Sequence, residues 1–336
     1  MSLKKALLIG CNYLNTPQQL NGCINDIIHI RNTLIDAYAY SPHNIVMLRD
    51  DVPSILPTRA NILNSLKLMV GQSAGLSELI IHYSGHGTAI RDTNGDEVSG
   101  KDQAIVPLDY TRNGFISDDE LFNIIKDAKC RVLMLFDSCN SGTVCDLQYS
   151  INYVNRAFVR STNNTKRIVN PNIIMMSGCR DDQTSADSYS NLEDLAVGAF
   201  TNTLLETLRL ANHNVDIIRL YNDVCYNLSR SGFTQIPVLS CSSYMPSYTF
   251  VRGGSNQANV STLTSPDSAK LKVPVSTSVK QSSSSIMPIK KGVSMGFTYS
   301  RPNENVDPFI YIPLVHHSIN PVSKQSSGQK LKMLFM

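Results

Sequence analysis

The chain contains no tryptophan and no Cys-x-x-Cys pair. Nor does any apolar run approach the roughly 20 residues that a membrane-spanning helix needs. Its longest apolar runs, Ala6 to Ile9 and Val132 to Phe136, are only of strand length. Without closely spaced cysteine pairs, a zinc ribbon and a thioredoxin-like redox centre are excluded. The N-terminal Met-Ser-Leu-Lys-Lys leads directly into a strand pattern, without the long apolar stretch of a signal peptide. A cytoplasmic location is therefore expected, with the eight cysteines as reduced thiols and not a secreted disulfide scaffold. An excess of one charge is missing too: 30 Lys and Arg against 27 Asp and Glu give a formal net charge of +3. That leaves no electrostatic footprint for nucleic acid. Neither nucleic acid nor membrane is expected as a partner.

What is present is an ordinary globular composition over most of the 336 residues, 42% hydrophobic and 17% charged. This is long enough for one large domain or two ordinary ones. Short β-rich apolar runs alternate with helical patterns in the first half, the signature of a mostly parallel sheet flanked by helices. Strands are expected at Lys5 to Gly10, Asn44 to Leu48, Glu78 to Tyr83, Ala104 to Leu108 and Arg131 to Asp137. Between them, Ile24, Ile27, Ile28, Leu34 and Ile35 share one helical face. Ile62, Leu63, Leu66 and Met69 do so within Thr58 to Val70, and Ser117 reads as the N-cap of a helix through Ile125.

Residues 1–150 thus form a large α/β region. Residues 151–170, polar and rich in Asn, Arg and Thr, read as a mobile linker. A smaller block of the same fold spans 171–251, with a strand at Asn172 to Met176, helices near Gly198 to Leu210 and Val215 to Leu228, and a last strand at Ile236 to Leu239. Residues 252–336 are rich in Ser, Thr, Pro, Gly and Lys, a composition that cannot bury enough apolar area to offset ordering entropy and is expected to be disordered.

Two strand ends carry groups with chemistry. One is Ser84-Gly85-His86-Gly87 and the other Asp137-Ser138-Cys139-Asn140-Ser141-Gly142. In an open α/β sheet, ligands bind beyond the carboxyl ends of the strands, where such groups can meet. Cysteine chemistry needs a thiolate, which a nearby histidine generates. The glycines let a peptide backbone approach. The backbone N–H groups of Gly87 and Cys139 are candidate oxyanion donors. His86 precedes Cys139 by about 50 residues, the separation kept by caspase-type enzymes. His82 is a weaker base candidate, because a histidine on a buried strand is more often a hydrogen-bonded core residue. Taken singly, each motif is an ordinary turn; together, at two strand ends, they are not.

These segments resemble the paired catalytic signatures of type I metacaspases, as do Gly22-Cys23-Ile24-Asn25-Asp26 and the run from Ser177-Gly178-Cys179-Arg180-Asp181 to Asp187. The resemblance covers about residues 3 to 250. It implies a caspase-like α/β/α fold and a cysteine endopeptidase with Cys139 as nucleophile and His86 as base. It also implies cleavage after Arg or Lys, with Cys23, Asp26, Ser84 and Asp137 lining the specificity pocket, and calcium activation through Asp102, Asp118, Asp119 and Asp146. One departure is Asn140, where the family usually has histidine after the nucleophile.

Some of this has independent support in the residues. Asp137 lies two residues before Cys139, so both side chains point one way if the strand persists, and a carboxylate there can pair with a substrate guanidinium. Calcium prefers clustered oxygen ligands, although Asp118 and Asp119 also suit the first turn of a helix. Asp92 to Glu97 resembles the start of an EF-hand loop, but its glycine is misplaced, and it reads as a solvated turn. An enzyme that cuts after basic residues could process itself at Arg156, Arg160, Lys166 or Arg167; the same charges also fit a merely exposed linker. The expected partners are protein or peptide substrates with a basic residue at the cleavage site, and the expected state is a monomeric zymogen. The rivals are a catalytically silent scaffold of the same fold and a paracaspase, which would not need calcium.

Overall fold

Alternation of apolar residues along the first strand sets the architecture. In β1 (Lys4–Gly10), Ala6 and Leu8 face one side and Leu7 and Ile9 the other, and all four are buried. A strand buried on both faces belongs inside a parallel sheet covered by helices on each side. The computed structural model describes residues 3–92, 100–138, 145–154, 157–163, 168–178, 187–189 and 196–253; the segment that follows, 254–336, expected as a disordered tail from 252, lies outside them.

After β1 come α1 (Cys23–Tyr38), β2 (Ile45–Arg49), α2 (Arg59–Gly71) and β3 (Glu78–Ser84). Then β4 (Gly87–Arg91), β5 (Lys101–Ile105), the short α3 (Tyr110–Asn113), β6 (Ile116–Ser117), α4 (Asp118–Ile125) and β7 (Arg131–Asp137) complete the large region. The remainder holds β8 (Tyr149–Val154), β9 (Ala157–Thr162), β10 (Ile173–Ser177), β11 (Asp187–Tyr189), β12 (Ala196–Gly198), α5 (Ala199–Leu210), β13 (Val215–Asp216), α6 (Ile217–Arg230), β14 (Val238–Cys241) and β15 (Thr249–Phe250). The helix starts follow the sequence signals. Thr58 accepts from Asn61 N at the start of α2, and Ser117 and Glu120 form a reciprocal capping box on α4.

The main sheet has eight strands in the order β2-β1-β3-β7-β10-β14-β8-β9. The first five run parallel, and the last three join antiparallel. One face packs Leu8, Ile80, Leu133 and Leu135 under α1, α5 and α6. The other packs Leu7, Ile81, Met134 and Phe136 under α2 and α4. The strand expected at Ala104 to Leu108 falls instead at Lys101–Ile105. It belongs to a separate sheet, β4-β5-β6, beside the carboxyl end of β3.

One expectation needs correction. Within residues 151–170, read as a mobile linker, β8 and β9 form an antiparallel hairpin at the edge of the main sheet. Its polar residues pair among themselves: Ser150 and Ser161 hydroxyls lie 2.7 Å apart, and Ser150 Oγ donates to Asn163 Oδ1 at 2.7 Å. Ile151 supplies the core anchor from the alternate position. Polar composition therefore marks a half-solvated edge pair here, and not a chain without structure. No helix among the described residues is long and apolar enough to cross a membrane.

Candidate active site

The carboxyl ends of β3 and β7 are neighbours, and Ser84 pairs in register with Asp137. The two-residue period of a strand therefore puts His82 and Ser84 of β3, and Asp137 of β7, on the sheet face covered by α1 and α5. Asp26 enters the same space from the first turn of α1. Its start is fixed by Asn12, whose Oδ1 accepts from Cys23 N at 2.9 Å, and by Gly10, where a Cβ would meet the Cys23 carbonyl at 2.6 Å.

These residues converge on the N-terminus of α5. Ser84 Oγ donates to Asp26 Oδ2 at 2.6 Å, and Gly198 N donates to Asp26 Oδ1 at 2.9 Å. Thr201 N donates to Asp137 Oδ2 at 2.8 Å. Both carboxylates are buried, Asp26 at 0% and Asp137 at 5% exposure. They stand in for the missing side-chain cap of α5, whose N-cap residue is Gly198. The positive end of that helix favours negative charge where the two acids meet. His82 supports the arrangement from beneath: its Nε2 lies 3.2 Å from Thr201 Oγ1. Burial lowers its pKa to about 3, so the ring is neutral at physiological pH.

His86 follows the end of β3 and is half-buried. Its Nε2 lies 2.7 Å from the Gln18 carbonyl, an acceptor, so that nitrogen carries the ring proton and Nδ1 is left basic. The Tyr13 ring packs on the imidazole at 4.7 Å between centroids. The peptide is clamped as well: His86 N donates to the Tyr13 hydroxyl at 3.0 Å, and the Tyr83 hydroxyl donates to His86 O at 2.7 Å. At Gly85 a Cβ would meet the Tyr83 hydroxyl at 2.7 Å, so the turn tolerates no side chain. Gly87 opens β4 opposite Ile105. Cys139 lies outside the described residues, as do Asn140, Arg156, Lys166 and Arg167.

Among the other expected site residues, Cys23 is buried at the start of α1, on the helix that carries Asp26. Asp102, Asp118 and Asp146 are all buried, and Asp119 is half-exposed. Asp118 accepts from Gln103 N at 2.7 Å and Asp119 N at 2.9 Å. Its pKa is raised to about 8, first by burial and then by repulsion from Asp146, with Asp102 adding to it. As they stand, no three acidic, His or Cys side chains among the described residues form a closed metal-ligand group. The donor chemistry nonetheless fits a hard cation, because Asp146 and Asp102 repel Asp118 and a positive charge among the three buried carboxylates would relieve that repulsion. Arg160 lies on β9, with its guanidinium 4.3 Å from the centroid of the Tyr244 ring.

Sequence reasoning missed Gln18, Tyr13, Tyr83, Gly198 and Thr201. Only Gly198 carried a visible signal, a glycine directly ahead of an amphipathic helix.

A sequence profile of the family described as "Metacaspase, peptidase C14 domain" matches residues 4–148. The chain is 33% identical over 289 residues to Metacaspase-1 of Schizosaccharomyces pombe, an alignment that spans 71% of this chain and 67% of that protein. It is 33% identical over 288 residues to Metacaspase-1 of Scheffersomyces stipitis, spanning 71% and 70%. Among solved structures, Caspase-1 from Spodoptera frugiperda superposes with a TM-score of 0.50 at 12% identity, over 76% of this chain and 92% of that one. A Geobacter sulfurreducens protein gives 0.50 at 20% identity, over 72% and 94%.

Proposed function

The chain belongs to the metacaspase family and is therefore a cysteine-type peptidase of caspase-like fold, and from that premise we propose that it cleaves after arginine or lysine, using Cys139 and His86, under calcium control. The observation that carries the specificity is the meeting of Asp26, Ser84 and Asp137 at the strand ends beside His86. A buried pair of carboxylates complements a guanidinium or ammonium and repels an acidic side chain.

In this reading, His86 Nδ1 takes the thiol proton of Cys139, and the thiolate sulfur adds to the scissile carbonyl carbon. The Gly87 and Cys139 backbone N–H groups hold the resulting oxyanion. His86 then returns the proton to the departing amine, which leaves a thioester on Cys139. Water, deprotonated by the same ring, adds to the thioester carbonyl and expels the thiolate. The Gln18 carbonyl keeps His86 in the tautomer that the first proton transfer requires. Self-processing is proposed at Arg156, Lys166 or Arg167. Cutting after Arg160 would require β9 to leave the sheet.

A peptide panel differing only at the residue before the cleaved bond tests the specificity. Arginyl and lysyl peptides should be cut at least ~100-fold faster than the aspartyl peptide, the discrimination available to a site with buried polar partners. Comparable rates, or a preference for aspartate, would refute the pocket assignment.

Calcium would be held by Asp102, Asp118 and Asp146, with Asp119 at the rim, and would supply the charge that lets the buried acids ionise together. The direction of its pH dependence follows from Asp118. Its pKa in the folded protein is raised to about 8, so a proton stays on the carboxyl below that pH and stabilises the ion-free protein. Calcium must displace that proton. Its apparent affinity should therefore rise by up to about tenfold per pH unit between roughly pH 6 and 8 and level off above. Calorimetric titration across that range should show the slope, and an affinity flat in pH would remove Asp118 from the ligand set. Cleavage unaffected by chelator would leave the peptidase in place and remove the ion.

A further inference from the structure

At the opposite end of the sheet, where β1, β3 and β7 begin, lies a cavity of about 220 Å³. That volume holds about seven water molecules at the liquid's ~30 Å³ each. Lys4, Glu78 and Arg131, from the starts of three adjacent strands, form its charged floor, and Tyr38, Tyr248 and Phe250 form its walls.

Glu78 is the fixed point. It is buried and accepts from the Tyr40 hydroxyl at 2.6 Å. Two cations share it: Arg131 Nε lies 3.2 Å and Lys4 Nζ 4.0 Å from its oxygens. One carboxylate facing two cations leaves one positive charge over. The excess is shared between Lys4 and Arg131, and the buried Arg131 Nε makes no aligned hydrogen bond. The two outer Arg131 nitrogens make no hydrogen bond among the described residues, and the guanidinium carbon rests 4.9 Å from the centroid of the Tyr248 ring. A guanidinium resting against an aromatic ring, with its fork unused, is placed to grip two oxygens of one group. Lys4 donates to the Tyr38 carbonyl at 3.3 Å and has further donors to offer.

We propose that this cavity is a binding site for a small oxyanion, a carboxylate or a phosphate, gripped by the Arg131 fork and the Lys4 ammonium. It lies on the amino-terminal side of the strands whose carboxyl ends carry Ser84 and Asp137, so it is separate from the peptidase site. Carboxylate and phosphate share the recognition chemistry, and the aromatic walls add a preference for an anion with a short hydrocarbon body.

The test is calorimetric titration of the full chain with succinate and with inorganic phosphate, in chloride buffer. Saturable one-to-one binding of either anion is expected, and the tighter one identifies the class. Arg131→Lys keeps the charge and the ion pair but loses the fork, and should weaken binding at least ~10-fold; Lys4→Met should weaken it less. Both variants should keep wild-type circular dichroism and cleave arginyl peptides at the wild-type rate. No saturable heat with either anion would overturn the site. So would an unchanged affinity in a folded Arg131→Lys protein. Weak binding of both anions alike that vanishes in ~0.5 M sodium chloride, where exposed charges are screened, would also overturn it, as an adventitious ion only.

Discussion

Cys139→Ala is expected to abolish peptidase activity altogether, and His86→Ala to lower kcat/KM by roughly 10³-fold, within the range that a positioned general base supplies. The two losses differ because the roles differ. Without sulfur there is no atom to form the thioester. Without the imidazole, the small fraction of thiolate present at neutral pH still reacts, and the oxyanion donors remain. The size of the His86 effect rests on how tightly its ring is held. Its Nε2 is anchored on the Gln18 carbonyl, its face on Tyr13, and its peptide between the Tyr13 and Tyr83 hydroxyls. A ring fixed on three sides holds its proton acceptor in one place and loses little orientational freedom during reaction. The measurement is kcat/KM on an arginyl peptide in saturating calcium, together with the rate of iodoacetamide alkylation at Cys139. His86→Ala should slow that alkylation at neutral pH. A His86→Ala enzyme within tenfold of wild type would assign the base to another group. Full activity in Cys139→Ala would remove the nucleophile.

The pairing of the Ser84 and Asp137 strand ends was legible because its signals are local. β3 ends at Ser84 just ahead of Gly85-His86, its neighbour β7 ends at Asp137, and chain geometry alone brings these groups to one end of the sheet. Helix caps such as Ser117 with Glu120 were equally visible, since both partners lie within one turn. What could not be read was any feature whose partner is distant in sequence. Thr201 belongs to the site because its amide meets Asp137, 64 residues away, and Gly198 because its amide meets Asp26, 172 residues away. The Tyr13 hydroxyl reaches His86 N across 73 residues. Composition misled in one place, the stretch 151–170. A polar edge hairpin and a solvated linker draw on the same residues there, and only the alternation of residue type separates them: polar Ser150 and Asn152 around apolar Ile151.

Gly198→Ala carries the second large effect, at a position with no reactive group. A Cβ there would overlap Asp137 Oδ2 and lie 2.8 Å from Asp26 Oδ2, so one methyl would press on both acids of the proposed pocket at once. Neither acid can move freely. Asp26 is tied to Ser84 Oγ and Asp137 to the Thr201 amide, which is backed by Thr201 Oγ1 on the neutral His82 ring. Relief must therefore come from displacing the start of α5 or from turning a carboxylate out of place. Overpacking of this kind costs about 1–3 kcal/mol of stability. For catalysis the consequence is larger, because a misplacement of about 1 Å at a positioning group costs roughly 100-fold. Gly198→Ala should therefore fold, melt several degrees lower, and lose at least ~100-fold in kcat/KM on arginyl peptides, while alkylation at Cys139 stays near the wild-type rate. That last readout separates a damaged specificity pocket from a damaged nucleophile. Cleavage within threefold of wild type would show that the close approach of Gly198 to Asp26 and Asp137 has no part in substrate recognition. Slowed alkylation would move the fault from the pocket to the reacting pair.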